Sequence, residues 1–335
     1  MDNILVTGGA GFLGSHVVDC LIDDYNVIVL DDLSGGFEKN INPKAHFIRG
    51  SIQDADFVKD LFNNHNFKYV FHLAAYAAEG LSHFIRNFNY QNNLVGSVNI
   101  INNCINFNVE CLVFTSSIAV YGSNQVPMIE QLNPQPEDPY GISKYAVELD
   151  LKVARHLFGL NYVIFRPHNI YGERQNIADP YRNVIGIFMN QIMQNKPLTV
   201  FGDGKQTRAF TYVRDVAPVI AKSVNYPKAY GEIFNIGADT PYSINELILG
   251  VAKAMKRESV IKYLPARNEV LHAYASHAKV KECFPYQQDT TLEIGLEKMA
   301  AWAIEFGARK GTAFQNIEIE RNMPPSWRGL LTLDK

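Results

Sequence analysis

The sequence predicts an α/β fold: a doubly wound parallel sheet with a smaller α/β lobe. Three observations carry this reading. Short apolar runs alternate with longer stretches of helical spacing through the first half of the chain. The first run leads directly into a glycine-rich turn, and the second ends on the acidic pair Asp31-Asp32. Buried strands are expected at residues 3–7, 27–30, 46–48, 69–73, 112–115 and 162–165, because their apolar character is nearly continuous, as in strands covered on both faces. Helices are expected at 12–24, 55–65, 83–107 and 139–158 from apolar positions three and four apart. Right-handed crossovers then wind these elements into a Rossmann-like layer.

After Arg166 the pattern loosens, with Pro, Gly and Asn frequent as far as Pro197. Residues 232–236 read as one more strand and 244–255 as a helix, a pair expected to return to the first sheet. The predicted organisation is therefore a large domain of residues 1–170 plus about 231–258, and a smaller lobe of about 171–230 and 259–335. The tail after Gly307 shows no period and is expected to be a surface segment that wraps the smaller lobe.

A chain of 335 residues with 47% hydrophobic content can build a full core. The net charge is −3 with scattered basic residues, so no nucleic-acid or acidic-membrane footprint is visible. No apolar run reaches the roughly 20 residues of a membrane span. The strand pattern starts at Asn3, so no signal peptide is read, and a cytoplasmic location is expected. Cys20, Cys104, Cys111 and Cys283 show neither CxxC nor zinc spacing, so reduced thiols and no metal are expected.

The turn after the first strand reads Thr7-Gly8-Gly9-Ala10-Gly11-Phe12-Leu13-Gly14. Gly8 permits the tight turn, Gly11 lets backbone approach a pyrophosphate, and Gly14 lets the helix pack close to the strand. The N–H groups at the helix start, including those of Phe12 and Leu13, would face the phosphates. Asp31 lies where a carboxylate accepts from both adenosine ribose hydroxyls. Asp32 adds negative charge where a 2′-phosphate would sit, which favours NAD over NADP.

Asp138-Pro139-Tyr140-Gly141-Ile142-Ser143-Lys144 reads as a helix start, with Asp138 at the N-cap and Pro139 at the first helical position. Tyr140 and Lys144 share a face four residues apart. A free phenol holds its proton to about pH 10. A neighbouring ammonium and an oxidised nicotinamide are expected to lower that value into a useful range. Ser117, in Phe114-Thr115-Ser116-Ser117, ends a strand and could share the moving proton.

TGGAGFLG, HLAA, TSSIAVYG, YGISK and RPHNIYG occur in this order. With them the chain resembles the extended short-chain dehydrogenase/reductase family, in its NAD-dependent nucleotide-sugar epimerase and dehydratase branch. The resemblance implies Ser117, Tyr140 and Lys144 as catalytic residues. It implies Gly8, Gly11, Phe12, Leu13, Gly14, Asp31, Asp32, Ser51, Ile52, His72, Leu73, Ala74, Ala75 and Asn93 around NAD. For the substrate it implies Asn169, Asn183, Arg208 and Arg267 at the diphosphate, and 198–201, with Val200, presenting backbone to a base that is usually uracil. Two guanidiniums suit a diphosphate because each pairs bidentately with phosphate oxygens.

The chain departs from the family pattern at several positions. Ser51-Ile52 stands where Asp-Ile is usual, Ala77 and Ala78 where a lysine is often found, and Ser276 where an Asp is common. Glu79 is unusual beside the expected sugar site, and its role is left open between sugar contact and helix cap. Glu173 and Arg174 are read as solvent-facing, and His72 as packed against the sheet rather than catalytic.

Family dehydratases carry an acidic pair in the turn after Ser117, whereas this chain has Ile118 and Ala119, which transfer no protons. An NAD-dependent 4-epimerase of a UDP-hexose is therefore expected. Epimerases of UDP-N-acetylglucosamine, UDP-glucuronate or a GDP-sugar, a net oxidoreductase, and a non-catalytic dinucleotide sensor stand as alternatives. Ala273, at the family's size gate, would leave room for an N-acetyl group. Apolar positions in excess on 83–107 and 139–158 suggest a homodimer.

Overall fold

Seven parallel strands make the central sheet, because each carries apolar side chains on both faces and helices cover both. The computed structural model describes residues 1–267, 269–285, 290–311 and 313–331. The strands are β1 (Asn3–Thr7), β2 (Asn26–Asp31), β3 (His46–Arg49), β4 (Phe67–His72), β5 (Cys111–Thr115), β6 (Asn161–Pro167) and an edge strand, Glu232–Ile236. In space the order is edge strand, β6, β5, β4, β1, β2, β3. The winding reverses between β1 and β4, so a crevice is expected beyond their C-terminal ends.

Side-chain alternation sorts the two core layers. Ile4 and Val6 on β1 meet α1 (Phe12–Leu21) and α8 (Val213–Lys222) on one face. Leu5 meets α2 (Ala55–Asn64), α5 (Gly96–Asn106) and α6 (Pro139–Phe158) on the other. The start of α6 follows local chemistry: the Asp138 carboxylate accepts from Gly141 N at 2.9 Å, and Pro139 occupies the first turn. Gly159, at a φ of 76°, closes the helix in a left-handed cap.

The helix expected at 83–107 forms as one run over 86–106, made of α4 (Arg86–Tyr90), a π-turn, Gln91–Val95, and α5, with the separate short α3 (Glu79–Ser82) before it. Side-chain amides accompany the π-turn. Asn89 Nδ2 donates to Pro139 O at 2.9 Å, and Asn93 clasps the Tyr76 backbone, accepting from its N at 2.8 Å and donating to its O at 3.1 Å.

The pair expected to return to the sheet is split. Its strand becomes the sheet edge beside β6. Its helix, α9 (Ile244–Met255), turns away to pack Leu247, Ile248 and Val251 with α7 (Val184–Met193) and α11 (Leu292–Phe306). Ser243 and Glu246 form a capping box that starts α9 in this place. Beside this cluster, Leu198–Phe201 pairs in parallel with Ile261–Leu264. A short helix, α10 (Ala278–Cys283), covers the edge strand.

The tail does more than wrap the smaller lobe. Arg309 O accepts from Asn190 and Gln194 on α7, and the chain then crosses to α3 and α4. There the Glu318 carboxylate accepts from Asn87 N at 2.7 Å and Phe88 N at 2.8 Å. Met323 and Trp327, the latter on α12 (Pro325–Leu331), bury against Ala78, Leu81, Ile85 and Tyr181. The last four residues of the expected tail, 332–335, lie outside the described residues.

Glu173 and Arg174 do not face solvent freely. Glu173 accepts from Tyr212 Oη at 2.8 Å and pairs with Arg214, while Arg174 pairs with Asp19 at 2.7 Å and donates to Ser15 O. Two long side chains thereby tie the loop after β6 to α1 and α8. Among the described residues no helix is long and apolar enough to cross a membrane.

Candidate active site

A cleft of about 510 Å³ runs along the C-terminal ends of the strands, where the reversed winding opens the sheet. Gly8, Gly11, Phe12, Leu13 and Gly14 line one end of it. A β-carbon on Gly14 would stand 2.1 Å from Gly8 O, and one on Gly8, whose φ is +73°, would stand 2.7 Å from Ala74 N. Both glycines are therefore required by the close meeting of α1, β1 and the loop after β4. Gly11 caps α1 with no side-chain hydrogen bond, which leaves the first N–H groups of the helix directed at the cleft. Asp31 closes β2, its Oδ2 accepting from Ala10 N at 3.0 Å and its Oδ1 from Leu33 N at 2.8 Å. Burial pushes its carboxyl up while those two N–H groups oppose the rise. Asp32 lines the cleft and accepts from Ser34 N. Glycines that only a bare backbone can satisfy, free helix N–H groups and a strand-end carboxylate together fit a dinucleotide.

Not every residue implied for this end reaches it. Ile52, Leu73, Ala74 and Ala75 line the cleft; among the described residues Ser51, His72 and Asn93 do not. Ser51 Oγ accepts from Gln53 N. His72 is fully buried between Thr7 Oγ1 at 2.7 Å and Ser97 Oγ at 2.8 Å, and burial drives its pKa down to about 3. Asn93 lies one layer back, holding the loop through Tyr76.

Mid-cleft, β5 and α6 bring Ser117, Tyr140 and Lys144 together. Ser117 Oγ accepts from Ala119 N at 3.1 Å, so its own proton is free to be donated toward the neighbouring Tyr140 phenol, whose ionisation it favours. Lys144 Nζ donates to Thr115 O at 2.8 Å and stands 5.9 Å from the Tyr140 ring centre. Burial lowers Lys144 to about 7, against the pull of Glu148 one turn on. The protein's own groups do not by themselves make Tyr140 acidic, which leaves the expected lowering to the oxidised nicotinamide as well as the ammonium. Burial raises the phenol above its ordinary value, Ser117 opposes it, and the carboxylates of Asp138 and Glu79 raise it further. Ile118 and Ala119 line the cleft beside these groups and offer no titratable atom.

Asn169, Asn183, Val200, Arg208 and Arg267 line the far end. Asn169 and Asn183 both hold positive φ, 39° and 60°, and Asn183 starts α7 without a side-chain cap bond. Arg208 is anchored by donation to Thr207 O, Leu271 O and Val270 O. Arg267 rests 4.7 Å over the Phe201 ring, and its buried Nε has no partner among the described residues. Glu269, which sequence reasoning missed, sits between the two guanidiniums, 3.0 Å from Arg267 and 3.6 Å from Arg208. Its place two residues after Arg267 gave no spacing signal, because its partner Arg208 comes from a distant strand.

A family model described as the NAD dependent epimerase/dehydratase family matches residues 4–237. The chain belongs to this family. NAD is therefore its cofactor, in keeping with the glycine turn and Asp31. Among members of the NAD-dependent epimerase/dehydratase family, it is 39% identical over 306 residues to a putative UDP-glucose 4-epimerase of Methanocaldococcus jannaschii, covering 89% of this chain and 97% of that protein. Its fold is similar to the UDP-glucose 4-epimerase of Thermotoga maritima, with a TM-score of 0.86 and 34% identity over 91% of this chain and 99% of that one. It is also similar to a UDP-N-acetylglucosamine 4-epimerase of Methanobrevibacter ruminantium, with a TM-score of 0.85 and 33% identity over the same 91% and 99%.

Proposed function

We propose that this protein is a 4-epimerase of UDP-hexoses, interconverting sugars of the UDP-glucose and UDP-galactose type. One observation carries the reading: Tyr140 stands with Ser117 and Lys144 in a cleft whose adjoining turn presents Ile118 and Ala119 where water loss from the sugar would need acids. The relatives named 4-epimerase support it. NAD, when bound, supplies the acceptor and later donor of hydride at C4, and the positive charge of its oxidised ring favours the phenolate that burial otherwise disfavours. Tyr140 Oη takes the proton of the C4 hydroxyl, and Ser117 Oγ shares it. Arg208 and Arg267 hold the diphosphate while the planar 4-keto sugar turns over. Tyr140 then returns the proton on the opposite face.

A second reading, epimerisation of a UDP-N-acetylhexosamine, is favoured by Ala273, whose small side chain lines the cleft at the position expected to gate sugar size. The protein is further read as a cytoplasmic homodimer. The test is proton NMR of the NAD-loaded enzyme with UDP-galactose and with UDP-N-acetylglucosamine. An equilibrium pair of 4-epimers supports the corresponding substrate. A stable starting spectrum for both removes the reading.

A further inference from the structure

We propose that Glu79 makes the cleft selective for a nucleotide sugar with an uncharged hexose and turns away uronates; this deepens the 4-epimerase reading and rests on it. Glu79 opens α3, which hydrogen bonds tie to the catalytic turn and which passes close to Arg267. At one end Ser82 Oγ accepts from Tyr140 N at 3.2 Å and donates to Glu79 O at 2.6 Å, which ties α3 to the catalytic turn. At the other, a β-carbon on Gly80 would stand 3.9 Å from Arg267 Nη1. A substrate with its diphosphate at Arg208 and Arg267 and its C4 at Tyr140 must lay its hexose across Glu79.

The carboxylate has no competing task. α3 has no side-chain cap bond at its N-cap, Ala78, so Glu79 does not cap the helix from there. Among the described residues Glu79 makes no side-chain hydrogen bond or ion pair, though it lines the cleft. Its oxygens accept from sugar hydroxyls but repel a second carboxylate. Among the described residues the cations lining the cleft are already engaged, Lys144 by donation to Thr115 O at 2.8 Å. Arg208 and Arg267 already face Glu269 and would also meet the diphosphate, while Arg182 is paired with Asp179 at 2.6 Å. Like charges held close in a partly desolvated site discriminate by orders of magnitude.

The experiment compares UDP-galactose with UDP-galacturonate. Titration calorimetry of the NAD-loaded enzyme gives Kd, and NMR gives kcat/KM, for the wild type, Glu79→Gln and the charge-retaining Glu79→Asp. The expected wild-type preference for the neutral sugar is about 100-fold in Kd. Glu79→Gln is expected to narrow it at least roughly 10-fold, chiefly by tighter uronate binding, and Glu79→Asp to keep most of it. Equal wild-type affinities, or an unchanged ratio in Glu79→Gln, overturn the proposal. Binding selectivity without any epimerisation would instead overturn the 4-epimerase reading and leave the role of Glu79 standing.

Discussion

Tyr140 is a phenol whose own surroundings resist its ionisation. Burial, Asp138 and Glu79 all push its pKa up, and Ser117 and, more weakly, Arg182 oppose them. Proton transfer at this oxygen therefore depends on the cofactor's charge as well as on Ser117. Tyr140→Phe is expected to keep bound NAD while turnover falls at least about 100-fold, the usual scale of general acid–base help. Initial rates together with released-nucleotide absorbance check this, and near-normal turnover removes Tyr140 from the chemistry.

Glu79 adds a pH signature. Although its side chain is exposed to the open cleft, its carboxyl is pushed up to about 7, first by desolvation from the surrounding cleft walls and then by Asp138, against Arg208 and Arg267 and with a smaller push from Glu269. Asp138 is itself raised to about 6, so both groups gain negative charge on passing from acid to neutral pH. Rejection of a uronate should then strengthen between about pH 6 and pH 8, as the raised carboxyls ionise. A flat ratio of affinities across that window contradicts the assignment. Residues of this kind were legible in the sequence where a motif imposed them, as with Gly14, Asp31, Ser117, Tyr140 and Lys144. Glu269 and the inward place of Asn93 were not, because each depends on a partner brought in from elsewhere in the chain.

Among the elements, α6 does the most to build the site, and a buried ion pair fixes it. Glu148 accepts from Arg166 Nε at 2.9 Å and from Ser116 Oγ, and Arg166 Nη1 donates to Tyr121 Oη at 2.7 Å. Tyr121 Oη in turn donates to Asn235 Oδ1 on the edge strand at 2.8 Å. One side chain of α6, a turn beyond Lys144, thus spans β5, β6 and the turn holding Ile118 and Ala119. Glu148→Gln leaves a buried guanidinium without its counter-charge and should cost about 3–5 kcal/mol in urea unfolding. A loss below about 1 kcal/mol, the scale of an exposed pair, contradicts the network's role.

Element boundaries were legible where local signals coincide, as in Asp138-Pro139 for α6. The helix expected at 83–107 was legible from its apolar spacing, whereas its π-turn and its start were not. Those are set at long range: amides on Asn89 and Asn93 reach other segments, and Glu318 caps α4 from the tail.

Over the whole molecule, the tail links α7 to α3 and α4, so it joins the two sides of the cleft. A second large-scale feature is apolar and exposed: Ile142, Leu149, Val153 and Leu157 along α6, with Val95 at the end of the π-turn before α5. Leu157 is 66% and Val153 58% accessible, more apolar surface than a solvated helix carries. Light scattering at micromolar concentration is expected to give twice the mass of one chain, and Val153→Glu with Leu157→Glu to give the single mass. A wild-type monomer rejects the dimer. The strand alternation and the glycine turn made the sheet legible in advance, whereas the placing of α9 was hidden because its apolar face suits either layer.

In a 4-epimerase of this design a hydride leaves and returns at C4, and the sugar undergoes no other proton transfer. Proton NMR of UDP-galactose with the NAD-loaded enzyme in deuterium oxide tests it most directly. UDP-glucose is expected to grow in with ordinary hydrogen retained at C4 and C5. Deuterium entering either carbon, loss of water to a 4-keto-6-deoxy sugar, or an unchanged spectrum would contradict it.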